Sequence, residues 1–142
     1  VAFHPTFLST KTGLTQRIGK HPCFDRYVFE MEDPGDVPGY SVGYRSPIRT
    51  QGQGAAVSLR GSADLEILVG VWTVPPGVEG YAPFTGPTDI TDTDFEAIQQ
   101  VRLFYAFEGQ TQIAIGVDKK RPFTVTFLGN PSRLVVDIYT GP

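Results

Sequence analysis

Gly39-Tyr40-Ser41-Val42-Gly43 spells G-x-S-x-G, the pattern that presents a nucleophilic serine on a strained turn between a strand and a helix. The flanking residues do not supply that turn. Apolar and polar positions alternate through the segment as in a strand, and Pro47 follows closely. The histidine that this arrangement needs downstream is missing, because His4 and His21 both precede Ser41. Ser41 is therefore expected to be dispensable, with its side chain on the strand face opposite Tyr40 and Tyr44, and no catalytic residue is assigned. Two histidines and the lone Cys23 form no metal-ligand spacing, although His21 and Cys23 are near enough in sequence to meet. Asp89, Asp92, Asp94 and Glu96 lack the alternating oxygen ligands and central glycine of a calcium loop. Gly52-Gln53-Gly54 is too short for a dinucleotide fingerprint. Neither a metal nor a cofactor is expected.

Two groups of residues are better suited to binding. Trp72, Tyr81 and Phe84 sit in or beside a segment of about twenty residues, Trp72 to Asp92, broken by Pro75, Pro76, Gly77, Gly80, Pro83, Gly86 and Pro87. Such rings either stack on sugar rings or pin the loop down as a satellite core. Arg26, Glu30, Arg133 and Asp137 fall on strand positions opposite the predicted core. There they form either a ladder of cross-strand ion pairs or a polar recognition face centred on Arg26 and Asp137. Lys119-Lys120-Arg121 reads as a solvated hairpin tip, with anionic polymer binding as the alternative.

The elements that must position these residues are strands. Sixteen glycines and twelve prolines in 142 residues favour short strands and tight turns over long helices. A formal charge of −3 offers no basic footprint for nucleic acid. No stretch approaches the ~20 apolar residues of a membrane span. The chain opens at Val1 rather than Met, as a processed segment would, so a targeting peptide or lipid anchor is expected to lie outside it.

Period-two alternation predicts an all-β fold: a single β-sandwich or open barrel of about eight mostly antiparallel strands with one short helix, forming one domain over 1–142. The expected strands are Thr6–Thr12, a strand with Tyr27, Phe29 and Met31 on one face after a turn at Gly19–Pro22, Tyr40–Tyr44, and Leu65–Val71. Val101–Phe107, Thr111–Val117, Phe123–Phe127 and Leu134–Tyr139 follow as a four-stranded meander, separated by Glu108-Gly109, Asp118–Pro122 and Leu128–Ser132. Phe29, Ile113, Ile115, Val117, Phe123, Val125, Phe127, Leu134, Val136 and Ile138 should be core. Thr93 with Glu96 three residues on resembles a capping box and predicts a helix over Asp94–Gln100.

His21-Pro22-Cys23-Phe24-Asp25-Arg26-Tyr27-Val28-Phe29-Glu30 resembles the opening signature of the AMIN-like domain of actinobacterial envelope proteins. Ile115-Gly116-Val117-Asp118, Arg121-Pro122-Phe123 and Asn130-Pro131-Ser132-Arg133-Leu134-Val135-Val136-Asp137 resemble its closing signature. Cys23 stands where the family usually has Gly, so the resemblance raises the question of a positive φ there. The resemblance implies a non-catalytic, extracytoplasmic module, secreted or lipid-anchored, that recognises peptidoglycan or another cell-wall glycan. The alternative is a module that docks an envelope protein.

Overall fold

A computed structural model describes residues 2–4, 11–91 and 94–141, with backbone alone for 2–4. These residues form ten strands: β1 (Ala2–His4), β2 (Gly13–His21), β3 (Phe24–Met31), β4 (Tyr40–Tyr44), β5 (Ala63–Val69), β6 (Asp89–Ile90), β7 (Ile98–Phe107), β8 (Gln110–Val117), β9 (Phe123–Leu128) and β10 (Arg133–Tyr139). They make a six-stranded sheet in the order β1-β4-β5-β8-β7-β6 and a four-stranded sheet in the order β2-β3-β10-β9. All pairings between these strands are antiparallel. The fold is all-β, as the alternation predicts, and of the two expected architectures it is the sandwich.

The two sheets share one core because each strand turns alternate side chains toward it. Leu65, Ile67, Val69, Ile113, Ile115 and Val117 from the large sheet meet Tyr27, Phe29, Met31, Leu134, Val136 and Ile138 from the small one. Phe123, Val125 and Phe127 face the same core but are only half-buried, because β9 is the outermost strand. Polar groups inside are paired: Tyr27 donates its hydroxyl to Gln16 Oε1 at 2.8 Å, and Gln16 Nε2 donates to the Pro87 carbonyl at 3.1 Å. Burial pushes the Tyr27 hydroxyl pKa well above its usual value.

Several boundaries differ from the sequence expectation. Positions 6–10 of the expected first strand lie outside the described residues, and Thr12 makes only an isolated parallel bridge with Trp72. Strand β2 runs through the expected Gly19–Pro22 turn as far as His21, leaving Pro22-Cys23 to turn the chain. β7 and β8 form a hairpin, as do β9 and β10, but the four are not one meander. After Val117 the chain crosses to the other sheet, and β8 pairs instead with β5. Alternation assigns a face to each strand but not a sheet.

No helix forms over Asp94–Gln100. The Asp25 carboxylate, buried at the end of the small sheet, accepts the amides of Ala97 at 2.8 Å and Ile98 at 3.2 Å. Strand pairing with β8 then begins at Ile98. Two turns of isolated helix are too short to compete with those contacts.

Every residue of β8 from Thr111 to Val117 is buried, which requires cover on both faces. The outer cover comes from the connection between β4 and β5, where Ile48 and Val57 pack on Ala114 with Leu59 and Phe104 beside them. Gly116 lies directly under that connection. A Cβ there would collide with the Arg60 carbonyl oxygen and press on Leu59 at 3.2 Å. Gly116→Ala is expected to destabilise by about 1–3 kcal/mol through overpacking. Gly129→Ala, at a site with nothing within 4 Å, should stay within about 0.5 kcal/mol. Thermal melts of the two variants check this, and equal midpoints would show that the cover yields.

Candidate functional site

Alternation in β3 and β10 sends Arg26, Val28 and Glu30, and Arg133, Val135, Asp137 and Tyr139, to the outer face of the small sheet. Register sets Asp137 opposite Arg26. The pair is bidentate, with Arg26 Nε donating to Asp137 Oδ1 at 2.8 Å and an Nη to Oδ2 at 3.0 Å. The hydrogen bond to Asp137 raises the Arg26 pKa further. The guanidinium also lies 5.3 Å from the Phe24 ring centroid, and that ring stacks on His21 at 4.7 Å.

The full four-residue ladder does not form. Glu30 is opposite Arg133 in register, but it accepts from Arg17 at 3.0 Å. Arg133 turns back to the carbonyls of Gly129 and Pro131.

Beside the Arg26–Asp137 pair is a groove of about 410 Å³ lined by Phe24, Pro122, Phe123, Thr124, Asp137 and Tyr139. Tyr139 is 47% exposed. Chemically, the groove offers the outward rings of Phe24 and Tyr139, a threonine hydroxyl and, at its side, the Asp137 carboxylate fixed by Arg26, on a shallow, mostly apolar surface. That combination suits a ligand with apolar C–H faces and polar edges.

The loop aromatics divide. Phe84 is 2% exposed and packs on Phe29, ring centroids 6.5 Å apart, so its ring belongs to the core. Trp72 and Tyr81 do meet, at 5.9 Å and a 45° tilt, with Tyr81 40% exposed. The loop is anchored on both sides of them. Trp72 exchanges backbone hydrogen bonds with Lys11 and Gly13, Phe84 N donates to the Val74 carbonyl, and Thr85 N donates to the Leu14 carbonyl. The structure therefore brings together Trp72 with Tyr81, and separately Arg26 with Asp137.

Other candidates take structural places. Ser41 lies within β4, on the face away from the buried Val42 and between the positions of Tyr40 and Tyr44. Among the described residues no three His, Cys, Asp or Glu side chains are grouped to hold a metal ion; Asp92 lies outside those residues. Cys23 is exposed, and among described non-glycine residues positive φ belongs to Glu108 and Asn130, so Cys23 has ordinary backbone where the family's glycine would stand.

The basic run is not a uniformly solvated tip. Lys119 and Lys120 are exposed, but the Arg121 side chain is 10% exposed and makes a bidentate pair with Asp118 at 2.7 and 2.8 Å. Tyr44 caps the same turn, its hydroxyl donating to the Arg121 carbonyl at 2.7 Å and accepting the Arg121 amide at 2.8 Å. Sequence reading missed this cluster and the Phe24–Tyr139 groove. An arginine three residues after an aspartate in a turn was the available signal for the first; nothing local signals the second.

The described residues form an antiparallel two-sheet sandwich with a groove on the outer face of the smaller sheet. The chain belongs to the AMIN-like family, whose model matches residues 12–140. Neither the curated proteins nor the solved structures contain a significant match to it. AMIN-like domains are generally non-catalytic and occur in cell-envelope proteins, so membership points to an envelope-related binding module. Among the described residues no helix is long and apolar enough to cross a membrane.

Proposed function

We propose that this domain is an extracytoplasmic module that holds its parent protein at the cell wall by binding peptidoglycan or a related wall glycan on the outer face of the small sheet. The observation that carries this reading is the groove between Phe24 and Tyr139 beside the Arg26–Asp137 pair. Pyranose rings have apolar C–H faces that stack on aromatic rings and hydroxyl or amide edges that hydrogen-bond to charged groups. The loop pair Trp72–Tyr81 is a second surface with stacking capacity, but Phe84 is committed to the core and cannot extend it.

Retention on purified sacculi tests the reading. Tyr139→Ala is expected to weaken retention about tenfold, equivalent to ~1.4 kcal/mol, with little change in thermal midpoint because the residue is 47% exposed at the end of its strand. Tyr81→Ala should leave retention unaltered. Loss of binding in the Tyr81 variant alone would move the site to the loop. Wild-type retention no greater than that of an unrelated acidic domain would end the glycan reading.

A further inference from the structure

The outer edge of β9 has a distinctive combination of sequence and geometry. Tyr139 N donates to the Pro122 carbonyl at 2.9 Å, and Ile138 is opposite Phe123. In an antiparallel ladder the bonded pairs alternate, so the backbone groups of Thr124, Thr126 and Leu128 point to β10. Those of Phe123, Val125 and Phe127 point the other way, and no described strand pairs with them.

Other edges are guarded. Strand β2 carries Arg17 and Lys20, and the long loop covers part of it through Thr85 N on the Leu14 carbonyl. β6 is two residues long and β1 three. β9 has six residues, Phe-Thr-Val-Thr-Phe-Leu, with no charge, proline or glycine. Natural edge strands usually carry such features to prevent pairing with another chain.

From this edge we infer that β9 pairs antiparallel with β9 of a second copy of this chain, across a two-fold axis at Val125. The occupant is specified by the sequence itself. Phe123-Thr124-Val125-Thr126-Phe127 reads the same in both directions, so a two-fold matches every residue with its like. Val125 exchanges hydrogen bonds with the partner's Val125, and Phe123 with the partner's Phe127. Thr124 lies across from the partner's Thr126, a favourable cross-strand pair on the outer face. Leu128, exposed at the strand end, comes opposite the partner's Pro122. That is a non-bonded position, where proline's missing N–H has no consequence.

Self-pairing also explains the burial pattern. Phe123, Val125 and Phe127 face the core yet stay half-buried, whereas Leu134, Val136 and Ile138 on the neighbouring strand are fully buried. A further strand would cover that side. The two small sheets become one continuous sheet whose outer face carries both copies of the Phe24–Tyr139 groove, so a polymer could engage both. The dimer does not depend on what that groove binds.

The interface is one strand wide and falls below the roughly 1,200 Å² of stable complexes, so the dimer should be weak, with Kd on the order of 10–100 μM. Sedimentation velocity from low micromolar to millimolar concentration, under reducing conditions and without glycan, should show reversible monomer–dimer exchange. Amide exchange at Phe123, Val125 and Phe127 should slow as concentration rises. Val125→Pro removes an outward N–H that the chain's own sheet does not use and should weaken the dimer at least tenfold. Thr124→Lys with Thr126→Lys, at two exposed positions, should do the same with an unchanged thermal midpoint, because each lysine then faces another across the two-fold. A wild-type chain still monomeric at 1 mM, or a dimer untouched by the lysine pair, would overturn the inference. Because no polymer is present, that result would leave the glycan reading standing, and failed sacculus binding would leave the dimer standing.

Discussion

Phe29→Ala should destabilise the domain by about 3–5 kcal/mol, and Phe123→Ala by about 1–2 kcal/mol, although the two residues look alike in sequence. Phe29 is fully buried at the centre of the small sheet. Its ring packs on Phe84 and fills the space where a side chain on Gly13 would sit. Gly13 N donates to the Trp72 carbonyl, and Thr85 N, next to Phe84, donates to the Leu14 carbonyl, so the surroundings resist collapse into the cavity that truncation leaves. Phe123 is on the edge strand, half-buried, with an edge-on contact to Tyr44 at 5.7 Å. Water already reaches part of that ring, so less transfer free energy is lost. Urea unfolding of both variants checks the difference, and equal losses would show that β9 is as enclosed as β3.

Arg121→Ala should destabilise by about 2 kcal/mol, which lowers the thermal midpoint by roughly 6 °C. The guanidinium is nearly buried, pairs bidentately with Asp118 and lies 3.3 Å from Glu96. Removing it leaves the Asp118 carboxylate without its partner at the point where the chain changes sheets. The same pair sets a pH dependence. The hydrogen bond from Arg121 holds the Asp118 pKa below the usual carboxylate value, and hydrogen bonds from Thr12 do the same for Glu32.

A depressed folded pKa means that the unfolded chain binds the proton more readily. The stabilisation is therefore present above the ordinary carboxylate pKa and is lost as pH falls through the folded value. Asp64, raised by burial, works in the opposite sense and partly offsets this. Stability should fall as pH drops below about 4. Asp118→Asn should be less stable than wild type at neutral pH and should show a shallower acid loss. An acid limb of unchanged steepness would assign the dependence to other groups.

How much of this was legible in the chain depends on the distance over which each contact acts. Period-two alternation is local, so seven of the ten strands, the inward faces of β3, β8 and β10, and the Glu108-Gly109 turn could be read directly. That turn has positive φ at both residues, as a two-residue hairpin needs. The outward placement of Arg26 and Asp137 followed from the same alternation, but their pairing required the register of two strands that are 111 residues apart in sequence. The apparent helix over Asp94–Gln100 had the right local capping pattern and lost to Asp25, a residue more than seventy positions away.

The sequence by itself thus determined that seven segments, those of β3–β5 and β7–β10, become strands, and which side of β3, β8 and β10 is apolar, while β1, β2 and β6 were not read as strands. Only the tertiary structure decided which sheet each strand joins, that Phe84 is core while Tyr81 is surface, that the Arg121 side chain is nearly buried while Lys119 and Lys120 are exposed, and that Phe24 and Tyr139 share a groove. Alternation encodes a direction relative to one strand. Burial and recognition depend on what another segment places against that face, and in an antiparallel sandwich that segment is usually far along the chain.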